Sequence, residues 1–276
     1  VSGNEQTLIS FGVSPMTDDD IPAQTLTCSE VANACPGGSF DVPTCTWSWT
    51  PAEADGPTSC DVVTQASDGI CNTDVTTHVI VNEVNECPMS GAPSSVSGNE
   101  GTLISFSVLP MTDPDIPAQT LTCSQVSNGC PGGTFDVPTC TWSWIPTEAE
   151  GPTFCDVVTR ASDGICNTDI TTHVIVSEVN ECPTSNAPPG VSGNEETLIS
   201  FDIAPTDPDL PAQILSCSIV ANTCPGGSLE GCVFNWTPTE ADGPTSCYVM
   251  TNVSDGICIT TDVTTMITVN EVNECP

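Results

Sequence analysis

The chain has 276 residues and a formal net charge of −35, from 36 acidic residues against a single basic one, Arg160. Nucleic acids and anionic membranes need Lys and Arg to neutralise phosphate, so this composition excludes them as partners and attracts cations instead. Hydrophobic residues make up 38% of the chain and alternate in ordered patterns, which argues against an unstructured acidic tail.

In chain order, the first patterned run is TLISFGV, which places Ile9, Phe11 and Val13 on one face of a strand. PMTDDDIPAQ follows with a turn composition, then TLTCS, then the turn-rich CPGGSFDVP. TCTWSW puts Trp47 and Trp49 on a shared face. After TPAEADGP, the run CDVVTQA points Cys60, Val62, Thr64 and Ala66 inward. SDGICNTD closes a turn, and THVIVNEV carries Val79 and Val81 toward the core. No segment sustains a helical period. Short alternating strands with turns roughly every 8–12 residues predict a β-sandwich.

The whole pattern then repeats. VSGNEQTLISF begins at Val1, VSGNEGTLISF at Val96 and VSGNEETLISF at Val191. NEVNECP closes the first and third copies and SEVNECP the second. This period is too long for a solenoid unit of about 20–50 residues and suits one small domain per copy. The expected division is repeat 1 over 1–88, a linker at 89–95, repeat 2 over 96–183, a linker at 184–190, and repeat 3 over 191–276. Repeat 3 stops where the next linker would begin, so the chain is cut in register. That predicts one segment of a longer array, or a protomer that stacks end to end on its copies or exchanges strands with them; a boundary set for other reasons is the alternative.

Cysteine is abundant, with 18 residues. They are Cys28, Cys35, Cys45, Cys60, Cys71 and Cys87 in repeat 1; Cys123, Cys130, Cys140, Cys155, Cys166 and Cys182 in repeat 2; and Cys217, Cys224, Cys232, Cys247, Cys258 and Cys275 in repeat 3. No C-x-x-C pair suggests zinc. An even count at matched positions reads as a disulfide framework outside the reducing cytosol, closing within each repeat, with the pairing left open. Small cores gain most from such cross-links. No apolar run is long enough to span a bilayer, and no signal peptide is visible.

The acidic residues recur at fixed loop positions. Each repeat has an opening Asn-Glu, an Asp-x-Asp, an acidic pair after the tryptophan strand, a Ser-Asp-Gly, and a closing Glu-Val-Asn-Glu. Calcium takes about six to eight oxygen ligands, which no one segment supplies but several converging loops could. The bland alternative is that these are turn-formers and solvated acids, or the surface of a protein from a saline habitat.

The run EVNECP, GNEGT, TDPDIPAQTLTCS and SDG resembles cadherin repeats and their bacterial relatives, especially tandem bacterial Ig-like or cadherin-like repeats of about this length. The resemblance covers the chain three times. It implies tandem all-β Ig-like or cadherin-like sandwiches in a linear array, joined by short acid-x-Asn-acid-x-Pro linkers with calcium at each joint. Carried over, it implies a first junction of Glu5, Glu53, Asp55, Glu83, Asn85, Glu86, Asp113, Asp115 and Asp163. The second is Glu100, Glu148, Glu150, Glu178, Asn180, Glu181, Asp207, Asp209 and Asp255.

Asn235 and Asn252 head N-glycosylation triplets on outward strand positions. His78 and His173 fall on the outward phase of the last strand, which suits surface residues rather than catalytic partners. No nucleophile elbow, phosphate-binding glycine loop or HExxH motif occurs, and no enzyme is expected. Two functions remain: an extracellular rod, stalk or filament, or a cell-surface adhesin gripping a glycan or protein ligand. Near-identity of repeats 1 and 2 favours the first, since a spacer need only fold, although avidity would also keep copies alike.

Overall fold

The computed structural model describes residues 1–13 and 16–273. Repeat 1 contains β1 (Ser2–Asn4), β2 (Ile9–Gly12), β3 (Thr27–Asn33), β4 (Ser39–Asp41), β5 (Thr46–Trp49), β6 (Thr58–Ser67) and β7 (Asn72–Asn82). Repeat 2 contains β8 (Ser95–Asn99), β9 (Ile104–Ser107), β10 (Thr122–Asn128), β11 (Thr134–Asp136), β12 (Thr141–Trp144), β13 (Thr153–Ser162) and β14 (Asn167–Ser177). Repeat 3 contains β15 (Thr184–Ser185), β16 (Gly190–Asn194), β17 (Ile199–Asp202), β18 (Pro205–Thr206), β19 (Ser216–Asn222), β20 (Ser228–Glu230), β21 (Val233–Trp236), β22 (Thr245–Ser254) and β23 (Val263–Asn270).

Each repeat pairs a four-stranded sheet with a three-stranded one. In repeat 1 the orders are β1-β7-β6-β3 and β2-β5-β4, and the other repeats follow the same scheme. The long strands β6 and β7 pair antiparallel from Thr58↔Val81 to Ser67↔Asn72. The opening strand pairs parallel with the last, as in Ser2↔Ile80 and Val96↔Val174.

The inward phases expected from alternation form the cores. Trp47, Val62 and Val79 are wholly buried, with Ile9, Trp49 and Val81 around them. Trp142 takes the same place in repeat 2 and Phe234 in repeat 3. Phe11 stacks on Trp47 at a centroid distance of 5.2 Å, and Phe106 on Trp142 at 5.4 Å. Aromatic pairs at such offsets add about 0.5–1.5 kcal/mol beyond area burial, a useful increment in so small a core.

The segments expected to be linkers bond to the following repeat. Met89 pairs with Thr112, the Gly91 amide donates to Val108 O at 2.9 Å, and β15 pairs with β18. Proline and small residues do not prevent this, because an edge strand needs only some of its amides bonded.

The disulfides correct the expectation that all close within a repeat. Two classes do: Cys28–Cys45, Cys123–Cys140 and Cys217–Cys232, and Cys35–Cys60, Cys130–Cys155 and Cys224–Cys247. The third class crosses the joint, as Cys87–Cys166 and Cys182–Cys258. Strand geometry dictates this. Cys71 and Cys87 flank the 11-residue β7, which at about 3.3 Å per residue holds them tens of ångströms apart, far beyond disulfide reach. Cys71 is exposed and unpaired, and Cys275 lies outside the described residues.

A candidate cation site at each joint

Three elements of repeat 1 converge on its lower end. Glu5 follows β1, Glu53 opens a short 3-10 turn, Glu53–Asp55, and Glu83 follows β7. One carboxylate oxygen from each lies within 4.8 Å of the other two. Glu5 is only 1% exposed. One of its oxygens accepts the Val84 amide at 2.9 Å, and the other faces the Gly56 Cα so closely that any side chain at 56 would overlap it. Glu100 repeats this arrangement with Val179 and Gly151, and Glu195 with Val272 and Gly243.

The upper end of repeat 2 supplies a second trio, Asp113, Asp115 and Asp163, within the same 4.8 Å. Asp113 turns the chain by accepting the Asp115 amide at 3.0 Å, and Asp163 accepts those of Ile165 and Cys166 at 2.6 and 2.7 Å. Asp and Asn favour such local turns because the short side chain reaches its own backbone. The linker seats on this trio. The Asn85 side-chain amide donates to Asp163 Oδ2 at 3.0 Å, and the Glu86 backbone amide donates to Asp115 Oδ1 at 3.0 Å. The second joint repeats both bonds through Asn180 with Asp255 and Glu181 with Asp209, and its acidic trios are Glu100, Glu148 and Glu178, and Asp207, Asp209 and Asp255. The Leu210 amide also donates across that joint to Glu148, at 2.7 Å.

These carboxylates are short of positive partners. At the first joint Glu5 Oε2, Glu53 Oε1, both Glu83 oxygens, Asp113 Oδ2 and Asp115 Oδ2 are buried without a hydrogen-bond donor. At the second, Glu100 Oε2, both Glu178 oxygens and Asp207 Oδ2 are likewise buried. Arg160 is committed to Asp169 through two bonds of 2.7 and 2.8 Å. Burial pushes the Glu83 carboxyl above its ordinary pKa, and Glu5, Glu53 and Asp115 push it further. Glu178 is driven up to about 7, first by burial and then by Glu100, Glu148 and Asp209. At Asp163 burial acts to raise the pKa, but the Asn85 amide and the Cys166 and Ile165 amides outweigh it and hold the carboxyl low. Unpaired buried charge is costly. An all-oxygen, carboxylate-rich donor set of this kind fits a hard divalent cation.

Not every residue expected at the joints joins a trio. Asp55 caps its 3-10 turn by accepting the Ala52 amide at 2.9 Å, and Glu150 accepts the Thr147 amide and hydroxyl. Glu86 reaches its trio through its backbone, while its side chain accepts Gln6 at 3.0 Å. Sequence reasoning missed Gln119 and Gln213, whose amides hold Asn85 and Asn180 from behind at 2.9 Å. Their signal was the recurring Pro-Ala-Gln. It also missed a fifth trio, Glu195, Glu240 and Glu271. Asn235 is half-buried, and Asn252 is half-buried with its amide on Asp262 at 3.3 Å. His78 and His173 sit on the outer sheet face beside Asp61 and Asp156, each 2.7 Å away.

No known family profile matches the chain, and no curated protein matches it. Solved structures do. Protocadherin Gamma B2 extracellular cadherin domains 1–5 align at a TM-score of 0.57 and 18% identity, over 99% of this chain and 59% of that one. Domains 3–6 of the same protein align at 0.50 and 14%, over 99% and 78%, and the Protocadherin gammaB7 EC3–6 cis-dimer structure at 0.51 and 14%, over 96% and 76%. The chain thus spans about three-fifths of the first of these. At such identities the likeness concerns the fold, and it establishes a tandem array of cadherin-like, disulfide-bonded β-sandwiches.

Proposed function

We propose that this chain is an extracellular, non-enzymatic structural repeat protein that forms a rod, stalk or end-to-end filament, stiffened at its joints by calcium. The observation that carries the reading is the set of buried, converging carboxylate oxygens that lack any donor at both joints. Glu5, Glu53 and Glu83 would hold an ion from above, and Asp113, Asp115, Asp163 and Asn85 from below. Glu100, Glu148 and Glu178, then Asp207, Asp209, Asp255 and Asn180, would do the same at the second joint. A bound divalent cation supplies the positive charge that relieves repulsion across each trio. The chain's own contribution is to fix the angle between sandwiches, because the linker bonds of Asn85 and Glu86 are already made to the next repeat. An extracellular setting is supported by the disulfides, which persist in oxidising compartments. Among the described residues no helix is long and apolar enough to cross a membrane.

Calorimetric titration of calcium into oxidised, EDTA-stripped protein tests this, with melting followed in parallel. Saturable binding of more than one ion per joint, with a rise in Tm, is the expected result. No heat and no shift at millimolar calcium would overturn it.

A further inference from the structure

Two disulfides sit directly against the acidic trios. Cys87 follows Glu86, whose amide is bonded to Asp115. It is joined to Cys166, whose own amide donates to Asp163 Oδ1 at 2.7 Å. The Cys166 sulfur lies 3.3 Å from Asp163 Oδ2 and 3.2 Å from the Asn85 side-chain amide. At the second joint Cys182 is joined to Cys258, whose sulfur lies 3.3 Å from Asp255 Oδ2 and 3.5 Å from the Asn180 amide. The sulfurs of Cys28 and Cys123, bonded within their own repeats, lie instead beside backbone carbonyls, those of Val42 and Val137.

The chemistry at the Cys166 sulfur changes with its oxidation state. In the disulfide it carries no proton, so its lone pairs face Asp163 Oδ2 and add to the repulsion within the trio. A divalent cation on Asp113, Asp115 and Asp163 relieves that repulsion. In the thiol form the same sulfur carries an S–H that donates to Asp163 Oδ2, occupying a lone pair that an ion would use. Reduction also removes the covalent brace between the linker and the Asp163 turn, so gathering the ligands costs more conformational entropy. Both effects favour the ion in the oxidised form.

We propose that the joint disulfides and the joint cations are thermodynamically linked. Cys87–Cys166 and Cys182–Cys258 raise the calcium affinity of the sites beside them, and calcium opposes their reduction by the same factor. The inference rests on the calcium reading above and adds a redox control to it: each joint is a latch that oxidation and calcium close together. Cys87 and Cys182 are exposed, whereas Cys35 and Cys130 are buried, so a small reductant reaches the joint pairs first. Opening one pair takes two electrons and two protons. A dithiol such as dithiothreitol supplies both: the protein S–S bond breaks to two thiols, and the reagent closes to its cyclic disulfide.

The test equilibrates the full chain with graded ratios of reduced to oxidised dithiothreitol, in EDTA and in millimolar calcium at equal ionic strength. Free thiols are then alkylated and located by mass mapping. Calcium should raise the ratio needed to half-reduce the two joint pairs by at least about tenfold, or about 30 mV for a two-electron couple. The Cys35–Cys60 and Cys130–Cys155 pairs should shift far less. Conversely, Cys87→Ala with Cys166→Ala should weaken calcium at the first joint by at least about tenfold and leave the second joint unchanged, as read by calorimetry. Equal half-reduction ratios in the two buffers, in protein whose calorimetry shows calcium bound, would overturn the linkage and leave the calcium reading standing. An equal shift of every pair would also overturn it, since calcium would then act only by stabilising the whole fold. Absence of calcium binding to the oxidised protein would sink both readings.

Discussion

Glu100 and Val179 are 79 positions apart, yet the carboxylate of one accepts the backbone amide of the other at 2.8 Å. The bond pins the start of the linker to the start of its own repeat. It also holds a nearly buried carboxylate against Glu148 and Glu178, a position that charge repulsion alone would not select.

Replacing that charge should therefore have opposite effects in two conditions. Glu100→Gln keeps an oxygen for Val179 but removes one negative charge from the trio. In EDTA its Tm should be higher than that of the parent. In calcium it should lose affinity at the second joint by at least about 10–100-fold, the range seen even for outer-sphere partners, and its Tm should fall below the parent's. Differential scanning in the two buffers checks this, and a change of the same sign in both would refute it.

The pH dependence follows from Glu178. Its folded pKa of about 7 lies above the ordinary value of 4.5, so the folded state holds the proton more tightly than the unfolded one. That contribution to stability is full below about 4.5 and is lost as pH rises through about 7. Metal-free protein should thus melt at lower temperature at pH 8 than at pH 5. Saturating calcium should reverse the trend, since binding needs the carboxylate deprotonated. Melting curves across pH with and without EDTA distinguish the two slopes.

Cys87 and Cys166 are separated by 79 residues, a span that encloses most of repeat 2. In the chain-entropy view, closing so long a loop stabilises by about 4 kcal/mol, and measured values run lower. The double change Cys87→Ser with Cys166→Ser should lower the Tm of repeat 2 by on the order of 10 °C. It should also make the first joint open in EDTA, which small-angle scattering would read as a broader distribution of lengths. The Cys123–Cys140 pair, confined to one sandwich, should leave the joint unaffected when removed.

Gly151 is needed for room rather than for backbone freedom. A methyl group there would overlap the Glu100 carboxylate, whereas one at Gly190 would meet only the Met266 carbonyl at an ordinary 3.5 Å. Gly151→Ala should cost about 1–3 kcal/mol by overpacking and weaken calcium at the second joint. Gly190→Ala should do neither, as urea unfolding and calorimetry would show.

The all-β fold was legible because alternation places Trp47 and Trp49 on one face, and both are buried. The acidic trios were legible because acids recur at the same loop positions in every copy. Disulfide crossing was not, since it depends on β7 carrying Cys71 and Cys87 to opposite ends of a sandwich. The capping work of Asp55 and Glu150 was hidden for a related reason: a carboxylate on a tight turn satisfies its own backbone first. The 89–95 segment read as a linker because serine, glycine and proline suit a loop, while its few strand bonds come from partners about 20 residues away.

The parallel pairing of first and last strands has a mechanical consequence. Because β1 runs alongside β7, β8 alongside β14 and β16 alongside β23 in the same direction, pulling on the two ends of a sandwich drags these strands past one another. Their hydrogen bonds are then loaded together in shear, rather than peeled open one at a time as in an antiparallel terminal hairpin. Tension carried along such an array is borne by whole ladders at once, which suits a tether.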